Sequence, residues 1–182
     1  MKVKLEFLLD KLVVFSCSLI DLWAELGVDA VYISDNWGLQ DRLMISPKKW
    51  HQIFKPRYRK AIYKAHKKGL KVFMPSCGCI TDIIPDFINL GLDVLNPIQP
   101  GAVDLEFIAR EYGGHITFFG GINVQALPYK SPGEIIEEID RLVELFGGFN
   151  GGFILGTANS VVPETPLENI PAMLEACSQY RY

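Results

Sequence analysis

Gly91-Leu92-Asp93-Val94-Leu95-Asn96-Pro97-Ile98-Gln99-Pro100 sets out the pattern that repeats along the chain. Gly91 stands where a helix C-terminal cap belongs, because glycine enters the left-handed region without a Cβ penalty. Asp93–Asn96 is a short apolar run of the kind that makes a buried parallel strand. Asn96-Pro97-Ile98-Gln99-Pro100 then reads as a polar, proline-broken loop. The same order of glycine, acid and strand returns at Gly27-Val28-Asp29, ahead of the apolar run Ala30–Ser34.

Working outward, further short runs rich in Val, Ile or Phe occur at Lys71–Ser76, Ile116–Phe119 and Phe153–Leu155. Amphipathic stretches lie between them: Leu5–Leu26, Pro47–Lys68, Ile80–Leu90, Val103–Tyr112, Ser131–Phe146 and Leu167–Cys177. Gly27, Gly69, Gly91, Gly113 and Gly147 each follow one of these stretches at a cap position. Alternating helix and strand predicts an α/β fold with a parallel sheet and right-handed crossovers. An open doubly wound sheet and part of a (β/α)-barrel both satisfy this pattern. In either, function lies beyond the carboxyl ends of the strands. That rule selects Asp35-Asn36-Trp37-Gly38, Ser76-Cys77-Gly78-Cys79, Asn96 to Pro100, Gly120-Gly121-Ile122-Asn123 and Gly156-Thr157-Ala158-Asn159. All five segments are polar or glycine-rich, whereas the opposite strand ends carry no such clustering.

The 182 residues are 49% hydrophobic and 21% charged, which predicts one globular domain over 1–182 and excludes a disordered or collagenous chain. The most apolar stretch, Leu12 to Ile20, is bracketed by Lys11 and Asp21, too short for a bilayer span. Glu6, Asp10 and Lys11 interrupt what would be the apolar region of a signal peptide. Four cysteines without that signal predict reduced thiols and a cytoplasmic location.

Net charge is −3, yet the charges are segregated. Eleven Lys or Arg fall between Arg42 and Lys71, with no acid before Asp82. The expectation is a solvated helix face, with an anionic small molecule as the alternative. Nucleic acid is not expected, because no aromatic stacking pattern is interleaved with the bases. His51 and His66 read as surface residues of this basic segment, His115 as structural, and Cys17 and Cys177 as core residues of amphipathic helices.

Among the loop residues, Asp35 can offer its carboxylate to an amine, a metal or a ring NH, or can cap the following turn. Gly120-Gly121 reads as a close backbone approach to a ligand, or as a tight turn at the rim. Trp37, Gly38, Gln99, Gly120, Gly121 and Asn123 are the candidate substrate-binding residues.

Tyr32-Ile33-Ser34-Asp35-Asn36-Trp37-Gly38, Ser76-Cys77-Gly78, Asp93 to Pro100, Thr117-Phe118-Phe119-Gly120-Gly121-Ile122 and Pro163-Glu164-Thr165-Pro166-Leu167-Glu168-Asn169-Ile170 follow one another in order. Together they resemble the uroporphyrinogen decarboxylase superfamily, which also contains corrinoid and cobalamin methyltransferases. The resemblance implies a partial (β/α)8 TIM barrel, strands four to eight with their helices. It implies a tetrapyrrole or corrinoid-type ligand, with decarboxylation of tetrapyrrole acetate side chains as the family reaction. It also implies a homo-oligomer or a separate amino-terminal chain that completes the barrel, with neither membrane nor nucleic acid as partner.

The family's histidine after the last strand corresponds to Asn159, which cannot exchange protons near neutral pH. Asp35 and Asn159 are thus the candidate catalytic positions, and a ligand- or partner-binding chain without activity is an alternative. The methyltransferase branch holds zinc through His-x-Cys-Gly and a distant Cys; here Pro75-Ser76-Cys77-Gly78 and Asn159 stand in those places. Cys77 alone keeps a ligand type, so no cofactor is expected, zinc and corrinoid being the alternatives.

Overall fold

The computed structural model describes residues 2–149 and 152–180. A long first helix α1 (Lys2–Glu25) precedes strand β1 (Ala30–Tyr32). Helices α2 (Pro47–Ile53) and α3 (Lys55–Lys67) lead to β2 (Lys71–Pro75). There follow α4 (Ile84–Leu90), β3 (Val94–Ile98), α5 (Leu105–Tyr112), β4 (Thr117–Ile122), α6 (Pro132–Gly147), β5 (Phe153–Thr157) and α7 (Asn169–Gln179). The strands form one parallel sheet in the order β1-β2-β3-β4-β5, so β1 and β5 are its two ends. The sheet is unclosed, as a partial barrel requires.

Local chemistry sets these boundaries. The Ser46 hydroxyl accepts the Lys49 N–H ahead of Pro47, and Ser131 and Glu134 form a reciprocal capping box at α6. The single helix expected over Pro47–Lys68 is divided at Phe54. Pro56 has no N–H to continue the ladder, so α3 starts a new one. Gly91 closes α4 at φ 79°, whereas Gly113 sits at φ −56° and is no left-handed cap. At Gly113 the requirement is space: a Cβ would lie 2.3 Å from the Phe149 ring. Gly147 is the last residue of α6 instead of following it.

Side chains alternate across the sheet, and one face meets the helices. Val31, Val72, Met74, Leu95 and Phe118 are buried there, with Trp50, Ile62, Phe87, Ile108 and Ile139 from the helical layer. Tyr32 takes the other face, where it stacks on Phe73 with ring centroids 5.0 Å apart and stays 52% exposed. At this strand it is thus Tyr32, and not its neighbours Val31 and Ile33, that is left to solvent.

The basic segment is not a bare solvated face. Arg57 pairs with Asp10 at 2.9 Å and Lys64 with Asp21 at 2.7 Å, tying α3 to α1. Lys55 meets Asp86 of α4, and Lys71 meets Asp93 at 2.9 Å. The acids placed elsewhere in the sequence are therefore partners for these bases. His51 and His66 are partly exposed and bonded to Asp86 and Asp93 respectively. His115 is exposed, not structural, and Cys17 and Cys177 are half-buried. Burial raises both thiols above their ordinary pKa.

Candidate functional site

The loops after the first three strands are joined to one another by hydrogen bonds between backbones and side chains. The first loop folds back on itself, Leu39 N–H donating to Arg42 O and Met44 N–H to Trp37 O. It is then fastened to the second: Trp37 N–H donates to Ser76 Oγ at 3.1 Å, Gly38 N–H to Cys77 O at 3.2 Å and Cys79 N–H to Leu39 O at 2.7 Å. Gly38 and Gly78 face each other at the crossing. A Cβ on Gly38 would lie 2.5 Å from the Gly78 carbonyl carbon, and one on Gly78 2.6 Å from the Gly38 carbonyl. Gly38 is thus required for loop-to-loop contact, with its space taken by the chain's own backbone.

Trp37 is turned away from the rim. It is only 8% exposed and packs against Trp50, Phe54 and Tyr58. Its indole N–H donates to Tyr58 Oη at 2.7 Å, and the Tyr58 hydroxyl donates to Asp35. Burial, with the nearby Asp35 charge second, drives the Tyr58 hydroxyl far above the ordinary phenol pKa, so it remains a donor. Asp35 lines an apolar hollow of about 170 Å³ between α1 and α3, together with Arg57 and Tyr58. Both residues therefore brace the first loop from behind.

Four of the expected residues do come together. Cys77 and Asn159 line a cavity of about 350 Å³ with Asn96, Pro97, Thr157 and Ser160. Gln99, Asn123 and Asn159 line a smaller one beside it with Val124 and Gln125, and Ala158 and Asn159 border both. Gly120 and Gly121, at φ 118° and 99°, approach protein and not an open mouth. A Cβ on the first would meet Ile98 N at 3.3 Å, and one on the second Leu142 Cδ2 at 3.0 Å. Asn36 and Asn96 lie in the segments selected from the sequence but were not named there as binding residues, and Gln125 lies just beyond one of those segments. Asn36 Oδ1 accepts the Cys77 N–H at 3.1 Å and so connects the first two loops.

A hollow of about 430 Å³ at the opposite strand ends is lined by Asp93 and His115, so that end is less plain than the sequence indicates. Its acid is already committed, to Lys71, to His66 and to the Val72 N–H. A third hollow, of about 280 Å³ between α5 and α6, contains Asp104, which caps α5, and the ion pair Glu106–Arg141.

Zinc does not fit the rim. Ser76 Oγ is taken by Trp37 N–H, Pro75 has no donor, and Asn159 is a poor ligand. Among the described residues no three His, Cys, Asp or Glu side chains gather as a metal ion would need.

The uroporphyrinogen decarboxylase (URO-D) family model matches residues 2–180. The chain belongs to the uroporphyrinogen decarboxylase family. It is 26% identical over 180 residues to a uroporphyrinogen decarboxylase of Wigglesworthia glossinidia brevipalpis, covering 95% of this chain and 47% of that protein. It is 25% identical over 161 residues to one of Christiangramia forsetii, covering 85% of this chain and 42% of that protein. The chain thus spans about half the length of these relatives. A solved methyltransferase from Methanosarcina mazei shares the fold, with TM-score 0.70 and 21% identity over 92% of this chain and 47% of that one. These matches agree with a partial barrel in the uroporphyrinogen decarboxylase superfamily. No helix among the described residues is long and apolar enough to cross a membrane.

Proposed function

We propose that this chain is the ring-holding portion of a uroporphyrinogen-decarboxylase-type barrel, binding a tetrapyrrole-type macrocycle against the loops after its strands. On this reading the chain alone does not decarboxylate uroporphyrinogen. The observation behind it is the lining of the rim, where Cys77, Asn96, Gln99, Asn123 and Asn159 supply a thiol and carboxamides. Loss of CO2 from an acetate side chain leaves electron density on carbon that a proton donor must quench. A carboxamide donates hydrogen bonds but does not exchange protons at neutral pH, so Asn159 holds a ligand without titrating.

A corrinoid-type ring in methyl transfer is a second reading, favoured by the Cys77 thiol at the cavity wall. Incubation with uroporphyrinogen followed by chromatography tests the first. The expected result is unchanged substrate, together with a shifted Soret band when a porphyrin is titrated onto the protein. Coproporphyrinogen above a heat-killed control would overturn the first reading. Loss of methyl acceptance in Cys77→Ser alone would establish the second.

A further inference from the structure

Asn123 and Gln125 reach the cavity at the strand ends on the loop between β4 and α6. That loop is fastened by two residues that line neither cavity of the site. Glu138 of α6 accepts the Asn123 N–H on Oε1 at 3.2 Å and the Lys130 ammonium on Oε2 at 2.9 Å, so one carboxylate holds both ends of the loop. Asn169, the first residue of α7, donates its NH2 group to two carbonyls of the same loop, Leu127 O and Lys130 O, each at 2.8 Å. It is 1% exposed, and the Glu138 and Lys130 side chains are both largely withdrawn from water. Within the loop, Asn123 Oδ1 accepts the Gln125 N–H at 3.1 Å and Asn123 O accepts the Ala126 N–H at 3.0 Å. The Ala158 N–H donates to Ile122 O at 2.9 Å, which joins the start of the loop to the segment carrying Asn159.

Each of these contacts uses a property that similar residue types lack. A carboxamide nitrogen carries two protons, and at Asn169 both go to carbonyls; serine has one donor and an ionised aspartate none. The Glu138 carboxylate accepts a backbone N–H and an ammonium at once. An ion pair withdrawn from water adds little net stability over apolar packing, so stability alone gives no reason for Glu138 and Lys130 in this place. We infer that Glu138 and Asn169 are positioning residues, which act through the loop Asn123–Lys130 to set where Asn123 and Gln125 stand in the cavity. Neither touches a ligand held there. A donor displaced by about 1 Å no longer meets its ligand atom within bonding distance, so the clamp governs affinity through geometry. The inference rests on the ring-holding reading for its ligand, whereas the clamp on the loop is a property of the fold.

Hydrogen exchange and porphyrin binding test it together on the intact chain. Asn169→Ser keeps one donor and Glu138→Gln keeps an oxygen for the Asn123 N–H, whereas Asn169→Ala and Glu138→Leu remove every contact. In the two severe variants, exchange across 123–130 is expected to quicken about tenfold, with 36–40 and 76–80 unchanged. Coproporphyrin I, titrated by its Soret band, is expected to bind these folded variants about tenfold more weakly, the worth of one neutral hydrogen bond. The conservative variants should fall between them and the wild type. A purely structural role predicts a different division: faster exchange throughout the chain, with full affinity in the protein that remains folded. That result would overturn the inference, and so would a quickened loop with undiminished affinity. If the severe variants do not fold, the conservative pair and the wild type decide. In the wild type, the two NH2 protons of Asn169 should exchange at least about tenfold more slowly than those of Asn36, whose side chain is exposed. Equal exchange would overturn the inference. A wild type that binds no porphyrin, with loop exchange responding as expected, would refute the ring-holding reading and still support the clamp.

Discussion

Tyr58 shows how much of this site is decided by single contacts. Its hydroxyl lies between a buried indole and a carboxylate, so Tyr58→Phe strands the Trp37 N–H without a partner. Such a loss costs about 1–3 kcal/mol, and urea unfolding should show it as a lower midpoint at unchanged slope. An unchanged midpoint would mean that the first loop is held by packing alone. Gly78→Ala acts differently, forcing a Cβ into the Gly38 backbone at a φ of 80°. It should destabilise by more than about 1 kcal/mol and loosen both loops, read as faster amide exchange at 36–40 and 76–80. Unaltered exchange in those segments would show that the two loops do not depend on this crossing. Neither the role of Tyr58 nor the orientation of Asp35 was legible in the sequence, because the pair is separated by 23 positions on different elements. Asp35 read as a ligand-facing carboxylate or as a cap of the following turn, and its bond to the Tyr58 hydroxyl of α3 was not foreseen.

At the scale of elements, Asp93 joins α3, β2 and β3 through His66, Lys71 and the Val72 N–H. Burial alone would raise its pKa, but the bonds from Lys71, His66 and Val72 prevail and hold it below the ordinary carboxylate value. A depressed folded-state value means stability that is present above about pH 4 and lost as pH falls through the folded pKa. The wild type should therefore lose stability in acid more steeply than Asp93→Asn, which should already be weaker at pH 6. Parallel profiles between pH 2.5 and 6 would show that Asp93 makes no net contribution. The five strands were legible because their Val, Ile and Phe runs have no competing helical period, and their observed bounds differ by a few residues at most. The division of α2 from α3 was outweighed in the sequence by an amphipathic pattern running through Pro56. Which face of β1 meets the helices was not legible, since alternation gives two faces and only packing says which is inside.

For the whole molecule, the unclosed sheet leaves β1 and β5 at its ends, and α1 carries Phe7, Leu8, Leu12, Val14 and Phe15 exposed. Apolar surface of this extent and two strand edges are templates for association. Light scattering at micromolar concentration is expected to give a mass above one chain, lowered by Leu8→Lys with Phe15→Lys; a sharp monomer would contradict this. The polar loops beyond the strand ends were legible as one rim, because a parallel sheet brings every such loop to the same end. Which of their side chains remain free was not, because that depends on the backbone donors each carboxamide meets. Hydrogen exchange with and without saturating coproporphyrin I tests the central claim most directly. The account predicts protection of the segments 76–79, 96–100, 123–125 and 157–160, with none at the opposite strand ends. Protection confined to the hollow at Asp93 and His115, or to the groove between α1 and α3, would contradict it.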